Sequence, residues 1–509
     1  MNPANSSLLV LTAGDDVAVA RGDIACGQLL CADGLCVTAL ADIPSGHKIA
    51  LRDVAQGQPV RKYGQIIGQA SSDLRPGEHV HVHNLQMPLA SSTHSLANVY
   101  QPTVYHTDQA RFAGYVRADG RVGTRNYIGV ISSVNCSATV CKQITAAFDA
   151  GYLRDYPNVD GVVAITHGSG CGMGAKGEGI EILKRTLRGY ADHVNFAGVL
   201  VIGLGCEVNQ LAPLMEQLAD RTAVLKASLV IQDAGGTRET VQRGIGLVRA
   251  MLAQVNSQQR SSVSASHLIV GLQCGGSDGY SGITANPALG AAVDLVVRHG
   301  GTAILSETPE IYGAEHLLTA RAASAPIADK LMGRIHWWEE YVRQHHGDMN
   351  NNPSPGNKAG GITTILEKSL GAVAKAGSTG LMGVYEYAER VEHQGLVFMD
   401  TPGYDPVSAT GQVAGGASLI CFTTGRGSTY GCKPTPSLKI ATNTRLFQRM
   451  SLDMDFNAGG IVDGEESVAE AGARLFELML ATASGRKTCS EENDMGDNEF
   501  VPWQIGAVM

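Results

Sequence analysis

The chain has 509 residues, 39 Lys+Arg against 48 Asp+Glu, and a net charge of -9. Without a strong basic patch this balance argues against nucleic acid as a partner, and no apolar run approaches the ~18–20 residues of a membrane span. Hydrophobic residues make up 44%, which excludes wholesale disorder and suggests about three domains.

The first residues, MNPANSSLLVLTAGDD, lack a basic start and do not read as a secretory signal. Residues 8–84 carry short Val/Ile-rich runs, with Asp33-Gly34 between two of them. This pattern predicts a small all-β unit, assigned to residues 1–84, with a tight hairpin. In EHVHVHN the residues His79, His81 and His83 alternate. A strand would put the three imidazoles on one face, suited to a divalent cation or an anionic substrate, or to a solvated edge. Residues 85–113 are rich in Ser, Thr, Pro and Gln and read as a linker. From 114 onward, apolar runs of strand length alternate with helical segments, and they divide near 255–266 into a middle α/β domain (114–260) and a C-terminal domain (261–509). Runs such as GVLVIGLGCE and HLIVGLQCGG are apolar throughout, as in parallel strands buried on both faces.

In open α/β sheets ligands bind beyond the carboxyl ends of the strands. The residues there include His167, Cys171, Cys206, Glu207, Cys274, Ser277, Asp278, Glu307 and Arg426. Cys136, Cys171, Cys206 and Cys274 each follow a strand-like run. Each alone reads as an inert buried thiol; as a set they could ligate iron, in a mononuclear site or a cluster. The odd total of 11 cysteines fits free thiols in a reducing cytoplasm better than a disulfide framework. Lys358 sits in the Pro/Gly-rich NNPSPGNKAGG beside Asn357, placed to hold a carboxylate or act as a base, or simply solvated. Arg125 and Arg426 suit a bidentate grip on a carboxylate. Gly170, Gly172 and Ala175 fit a dinucleotide fingerprint, but the acidic residue expected about 20 positions on is missing, so a nicotinamide-dependent oxidoreductase is weakly supported.

Longer motifs carry a resemblance. GHKIALRD (46–53), KYGQIIGQA (62–70), GRVGTRN (120–126), VLVIGLGCEVNQ (199–210), CGGSDGYSGITANPALG (274–290), NPSPGNKAGGITT (352–364) and FTTGRGSTYG (422–431) resemble the altronate/galactarate dehydratase family of sugar-acid hydro-lyases nearly end to end. EHVHVHN and GRKTCSEENDM (485–495) resemble its altronate branch. The resemblance implies a multidomain α/β protein: an N-terminal SAF-like β-clip domain, a middle domain carrying homodimer contacts, and a Rossmann-like C-terminal domain with a mostly parallel sheet. It implies dehydration of D-altronate to 2-dehydro-3-deoxy-D-gluconate, with galactarate or a sulfolactate-type substrate as alternatives. It also implies a divalent metal, iron first and manganese second, while the cysteine set keeps an iron–sulfur cluster open. On this reading Lys358 or His167 is the base, and Arg125 and Arg426 clamp the carboxylate. Ser277, Asn286, Asn357, His79 and His81 contact substrate; the resemblance does not identify the metal ligands, for which the residues themselves offer Asp278, Glu307 and the four cysteines.

Overall fold

The computed structural model describes residues 7–32, 34–88, 98–219 and 224–506, apart from the side chains at 217 and 219. Asp33 of the expected hairpin and residues 89–97 of the expected linker lie outside the described residues.

The N-terminal domain is built from short antiparallel strands. Leu8–Leu9, Val17–Ala20, Lys48–Ala50 and His79–Val80 form one sheet, and Pro59–Lys62, Gln65–Ala70 and Leu85–Gln86 form another. The hairpin strands Leu29–Ala32 and Leu35–Thr38 pair as the turn signal predicts, with Cys31 opposite Cys36 and joined to it by a disulfide. This bridge departs from the expectation of free thiols; the nine other described cysteines are free. The sequence alternation at His79–His83 is strand only at His79–Val80. The chain then turns, because Asn84 folds back to accept from the His81 N–H and donate to the His79 carbonyl.

The chain enters and leaves the middle domain side by side, where Arg111–Gly114 pairs antiparallel with Ser261–Ser264. Between these points Gly161–Ile165, Tyr127–Ser132, Phe196–Gly203 and Leu225–Val230 form, in that order, a parallel sheet. Helices Ala138–Thr145, Glu178–Ala191, Leu211–Ala219 and Thr237–Asn256 connect the strands, which is why the central strands are buried throughout. The helix after Gly161–Ile165 opens at Glu178, well past Gly170 and Gly172, so these glycines do not form the strand-to-helix turn of a dinucleotide site.

The C-terminal domain holds a seven-stranded parallel sheet. Its order is Leu381–Tyr385, Gly395–Met399, Thr302–Leu305, Ile269–Cys274, Leu419–Thr424, Ser437–Ala441 and Phe456–Asn457. The first strand in sequence, Ile269–Cys274, lies in the middle; the next three strands fill one side of it, with Leu381–Tyr385 at the edge and the later Gly395–Met399 inside it, and the last three fill the other side. The direction of winding therefore reverses beside Cys274, which opens a crevice at that strand's carboxyl end. Core residues of the N-terminal domain, among them Val60, Ile67 and Leu74, are continuous with Leu272 and Leu289 of the C-terminal core. Among the described residues no helix is long and apolar enough to cross a membrane.

Candidate functional site

The crevice beside Cys274 is lined by Ser277, Asp278, Ser281, Asn286 and Lys368 of the C-terminal domain and by Lys62 and Tyr63 of the N-terminal domain. Asp278 is fixed by four donors. The Thr442 hydroxyl (3.0 Å) and Asn443 amide (3.3 Å) donate to Oδ2, and the Ser281 hydroxyl (3.1 Å) and Tyr280 N–H (3.1 Å) donate to Oδ1. Burial raises its carboxyl above the ordinary range against these donors. Residue 425 must be glycine, since a Cβ there would lie 2.1 Å from the Asp278 Cγ.

Below this floor lies a buried charge network. Lys375 Nζ donates to Cys274 Sγ (2.9 Å) and to Glu307 Oε2 (3.0 Å), and Lys368 Nζ donates to Glu310 Oε1 (2.8 Å) and Asn352 Oδ1 (2.6 Å). Glu307 holds a left-handed backbone (φ 69°), an uncommon state for a residue with a Cβ. Burial, with Glu310 nearby, pushes its carboxyl up to about 8 despite Lys375. Cys274, Glu307 and Glu310 bring ligand atoms within 4.8 Å of one another. The Lys375 and Lys368 ammoniums offset part of this charge, while Glu307 Oε1 is buried without a hydrogen-bond partner. Asp278, with its oxygens committed elsewhere, belongs to no such group among the described residues. Of the expected ligands, Cys274 and Glu307 do meet, together with Glu310, in a group that could hold an ion, while Asp278 stands apart from it.

A second donor set is open. His47, His79 and His81 bring ring nitrogens within 4.8 Å of one another. His47 Nδ1 lies 3.0 Å from His79 Nε2, and its Nε2 lies 3.3 Å from the Ala359 carbonyl. Burial lowers all three, His79 to about 4 and His81 to about 3, so the imidazoles stay neutral at pH 7. His81 Nδ1 is buried without a hydrogen-bond partner. Neutral, converging imidazoles with an orphaned nitrogen fit a divalent cation. His47, which lies 32 residues from His79, was not among the expected ligands. Ala359 and Lys358 belong to the short helix Pro355–Ala359, so Lys358 neighbours this histidine cluster. Asn357 in the same helix is structural, closing a capping box with Ser354 and donating to the Ser277 carbonyl at 2.9 Å.

One buried carboxylate anchors this face. Glu367 accepts from Lys48 Nζ (2.9 Å) and Lys62 Nζ (2.9 Å) of the N-terminal domain and from the Thr363 hydroxyl (2.7 Å). Burial opposes its charge, but the two ammoniums hold its carboxyl well below the usual range.

The remaining expected residues take other roles. Arg125 is buried with all five N–H donors engaged: bidentate to Glu491 (2.6 and 2.8 Å) and to the carbonyls of Thr124, Thr482 and Arg486. It ties the middle domain to the C-terminal tail and has no donor left to clamp a substrate. Arg125→Lys will lower stability by about 2 kcal/mol, since it strands several of these acceptors; urea unfolding checks this. His167 is buried in the middle domain. Its Nε2 bonds the Ser132 carbonyl (3.1 Å) and its Nδ1 accepts the Ser169 N–H (3.2 Å), which leaves no nitrogen to act as a base. Asn286 spans Thr423 (2.6 Å) and the Gly371 carbonyl (2.8 Å). Arg426 is exposed above Gly276 at the carboxyl edge, and its side chain is free among the described residues. Cys274 sits in the C-terminal sheet, whereas Cys136, Cys171 and Cys206 follow strands of the middle sheet; the four do not form one site.

Comparison with known proteins bears on this geometry. Three family profiles match in succession: "Altronate/galactarate dehydratase SAF domain" over residues 6–88, "D-galactarate dehydratase/Altronate hydrolase, second domain" over 114–256, and "D-galactarate/Altronate dehydratase, C-terminal" over 265–508. The chain is 36% identical to altronate dehydratase of Bacillus subtilis (strain 168) over 94% of its length and 95% of that protein's. It is 36% identical to altronate dehydratase of Escherichia coli (strain K12), covering 94% and 96%, and 39% identical to galactarate dehydratase (L-threo-forming) of the same organism, covering 89% and 88%.

Proposed function

Because the chain belongs to the altronate/galactarate dehydratase family and is thus a sugar-acid hydro-lyase, we propose that its substrate is D-altronate, dehydrated to 2-dehydro-3-deoxy-D-gluconate. The observation that carries the cation-dependent part of this reading is the cluster of neutral imidazoles at His47, His79 and His81, set against the Lys358 helix. These three side chains would hold a divalent cation, iron first and manganese second. Such an ion supplies Lewis acidity for the charge that develops on the substrate carboxylate and on the departing hydroxyl.

The chain's own groups do the rest. Lys358 takes the weakly acidic proton at C2, next to the carboxylate. Arg426, exposed beside the Gly276 turn, orients that carboxylate. Loss of water followed by tautomerisation is redox-neutral, so no nicotinamide is consumed. A second reading, galactarate as substrate, is favoured by the 39% identity to a galactarate dehydratase against 36% to the altronate enzymes.

The deciding experiment offers purified protein, loaded anaerobically with ferrous iron, a panel of aldonates and aldarates and measures 2-keto-3-deoxy product. Altronate should turn over fastest. Faster turnover of galactarate installs the second reading, and no keto product from any sugar acid ends both. Full activity after rigorous chelation would remove the cation from the mechanism. Lys358→Ala should lower kcat about a hundredfold with an unchanged melting temperature; near-normal turnover would exclude it as the base.

A further inference from the structure

Of the nine free described cysteines, four are exposed: Cys26, Cys136, Cys171 and Cys206. Cysteine is among the residues most often buried. Yet three of these four exposed thiols stand on one edge of one sheet. Cys171, Cys136 and Cys206 follow the strands Gly161–Ile165, Tyr127–Ser132 and Phe196–Gly203, which are neighbours in that order. All three lie beyond the carboxyl ends, where parallel sheets place their ligands.

The loops that carry the thiols are bonded to one another beside each cysteine. The Asn135 N–H donates to the Ser169 carbonyl (2.9 Å), and the Asn209 N–H donates to the Gly170 carbonyl (3.3 Å). The Asn209 side chain reaches the Ser133 carbonyl at 2.9 Å. Gly170 permits this approach, since a Cβ there would lie 2.7 Å from the Ser133 carbonyl oxygen. The turn of Cys206 is pinned from below, where the buried Glu207 accepts from the Leu204 N–H (3.1 Å), the Gly205 N–H (2.6 Å) and the Ser133 hydroxyl (2.8 Å). Cys136 also stands just before the amino end of helix Ala138–Thr145, whose free N–H groups favour negative charge. Three exposed sulfurs are thus presented by a rigid platform whose hydrogen bonds, among the described residues, leave the thiols themselves almost unused; of the three, Cys206 takes one there, a 3.5 Å contact from Gln232.

Among the described residues these sulfurs do not form a group converging within the 4.8 Å that marks a site for a single ion. A polynuclear cluster spreads its thiolate ligands further apart, and soft thiolates select it. We propose that the carboxyl edge of the middle-domain sheet is an iron–sulfur cluster site held by Cys136, Cys171 and Cys206. With three protein thiolates, a cubane keeps one iron for an oxygen ligand, either solvent or the hydroxyl of a hydroxy acid. The site is separate from the histidine cluster and does not rest on the identity of the substrate.

The test reconstitutes the full-length protein anaerobically with ferrous iron and sulfide, then measures bound iron, acid-labile sulfide, visible absorbance and Mössbauer spectra. About four irons and four sulfides per chain are expected. Cys136→Ser, Cys171→Ser and Cys206→Ser should each lose most of both, while Cys26→Ser keeps them. Circular dichroism of each unreconstituted variant separates loss of ligand from loss of fold. Three outcomes overturn the proposal: no sulfide-containing chromophore in the folded wild-type protein, a single sulfide-free ion lost in the same variants, or a cluster that survives the three folded variants. Turnover of a sugar acid is read separately: a cluster-bearing protein that dehydrates nothing would overturn only the functional reading and leave the cluster site standing.

Discussion

Glu367→Ala will cost about 3–5 kcal/mol and loosen the N-terminal domain from the C-terminal domain, because it leaves the two buried ammoniums of Lys48 and Lys62 without their counter-charge. The carboxylate gathers donors from both sides of the domain junction, so its loss also strands the Thr363 hydroxyl. Lys48 retains the Gly361 carbonyl at 2.6 Å, an acceptor that cannot neutralise it. Burial already lowers Lys48 to about 8 in the intact protein, against Glu367. Without that carboxylate it will shed its proton, which limits the penalty to the lower part of the range. His47 precedes Lys48 and contacts Ala359, so turnover should fall with the docking. Limited proteolysis and urea unfolding measure the effect: a variant as resistant and as stable as the parent would show that the apolar core shared by the two domains suffices.

How much of this was legible in the sequence follows from the range of each interaction. The parallel strands were readable because burial on both faces leaves continuous apolar runs, as in Phe196–Gly203. The rule that ligands sit past strand ends located Ser277, Asp278 and Glu307 before any sheet order was known. It could not say that Asp278 and Glu307 belong to different hydrogen-bond sets, since that depends on Thr442 and Lys375, which arrive from distant strands and turns. The alternating histidines announced two of the three clustered imidazoles; His47 joins them through antiparallel pairing of Lys48–Ala50 with His79–Val80. Lys48, Lys62 and Glu367 were missed, because residues more than 300 positions apart meet only when two domains dock. Arg125 was read as a clamp because an arginine in a glycine-rich turn looks available. Its partner Glu491 lies 366 residues on, and only the folded chain shows that it is spent.

Acidification below pH 6.5 will destabilise the middle domain through two buried histidines. His167 and His193 are both lowered by burial from 6.5 to about 4, each against the carbonyl it meets, Ser132 or Ala417. The unfolded chain takes up a proton on each ring as pH falls through 6.5, while the folded protein refuses it until about 4. Stability is therefore flat above 6.5, falls between the two values and levels off below the lower one. Each ring contributes about 3 kcal/mol over the whole window and about 2 kcal/mol by pH 5. Buried acids with raised values, such as Asp160 and Asp278, work in the opposite direction because their folded forms bind protons more readily; near their own range they offset part of the loss. His193→Asn removes one titrating ring. Its unfolding free energy should be lower than the parent's at pH 7, yet decline by about 2 kcal/mol less between pH 7 and pH 5. Urea titrations at the two pH values measure that difference directly, and equal declines in parent and variant would show that His193 keeps its ordinary affinity for the proton when folded.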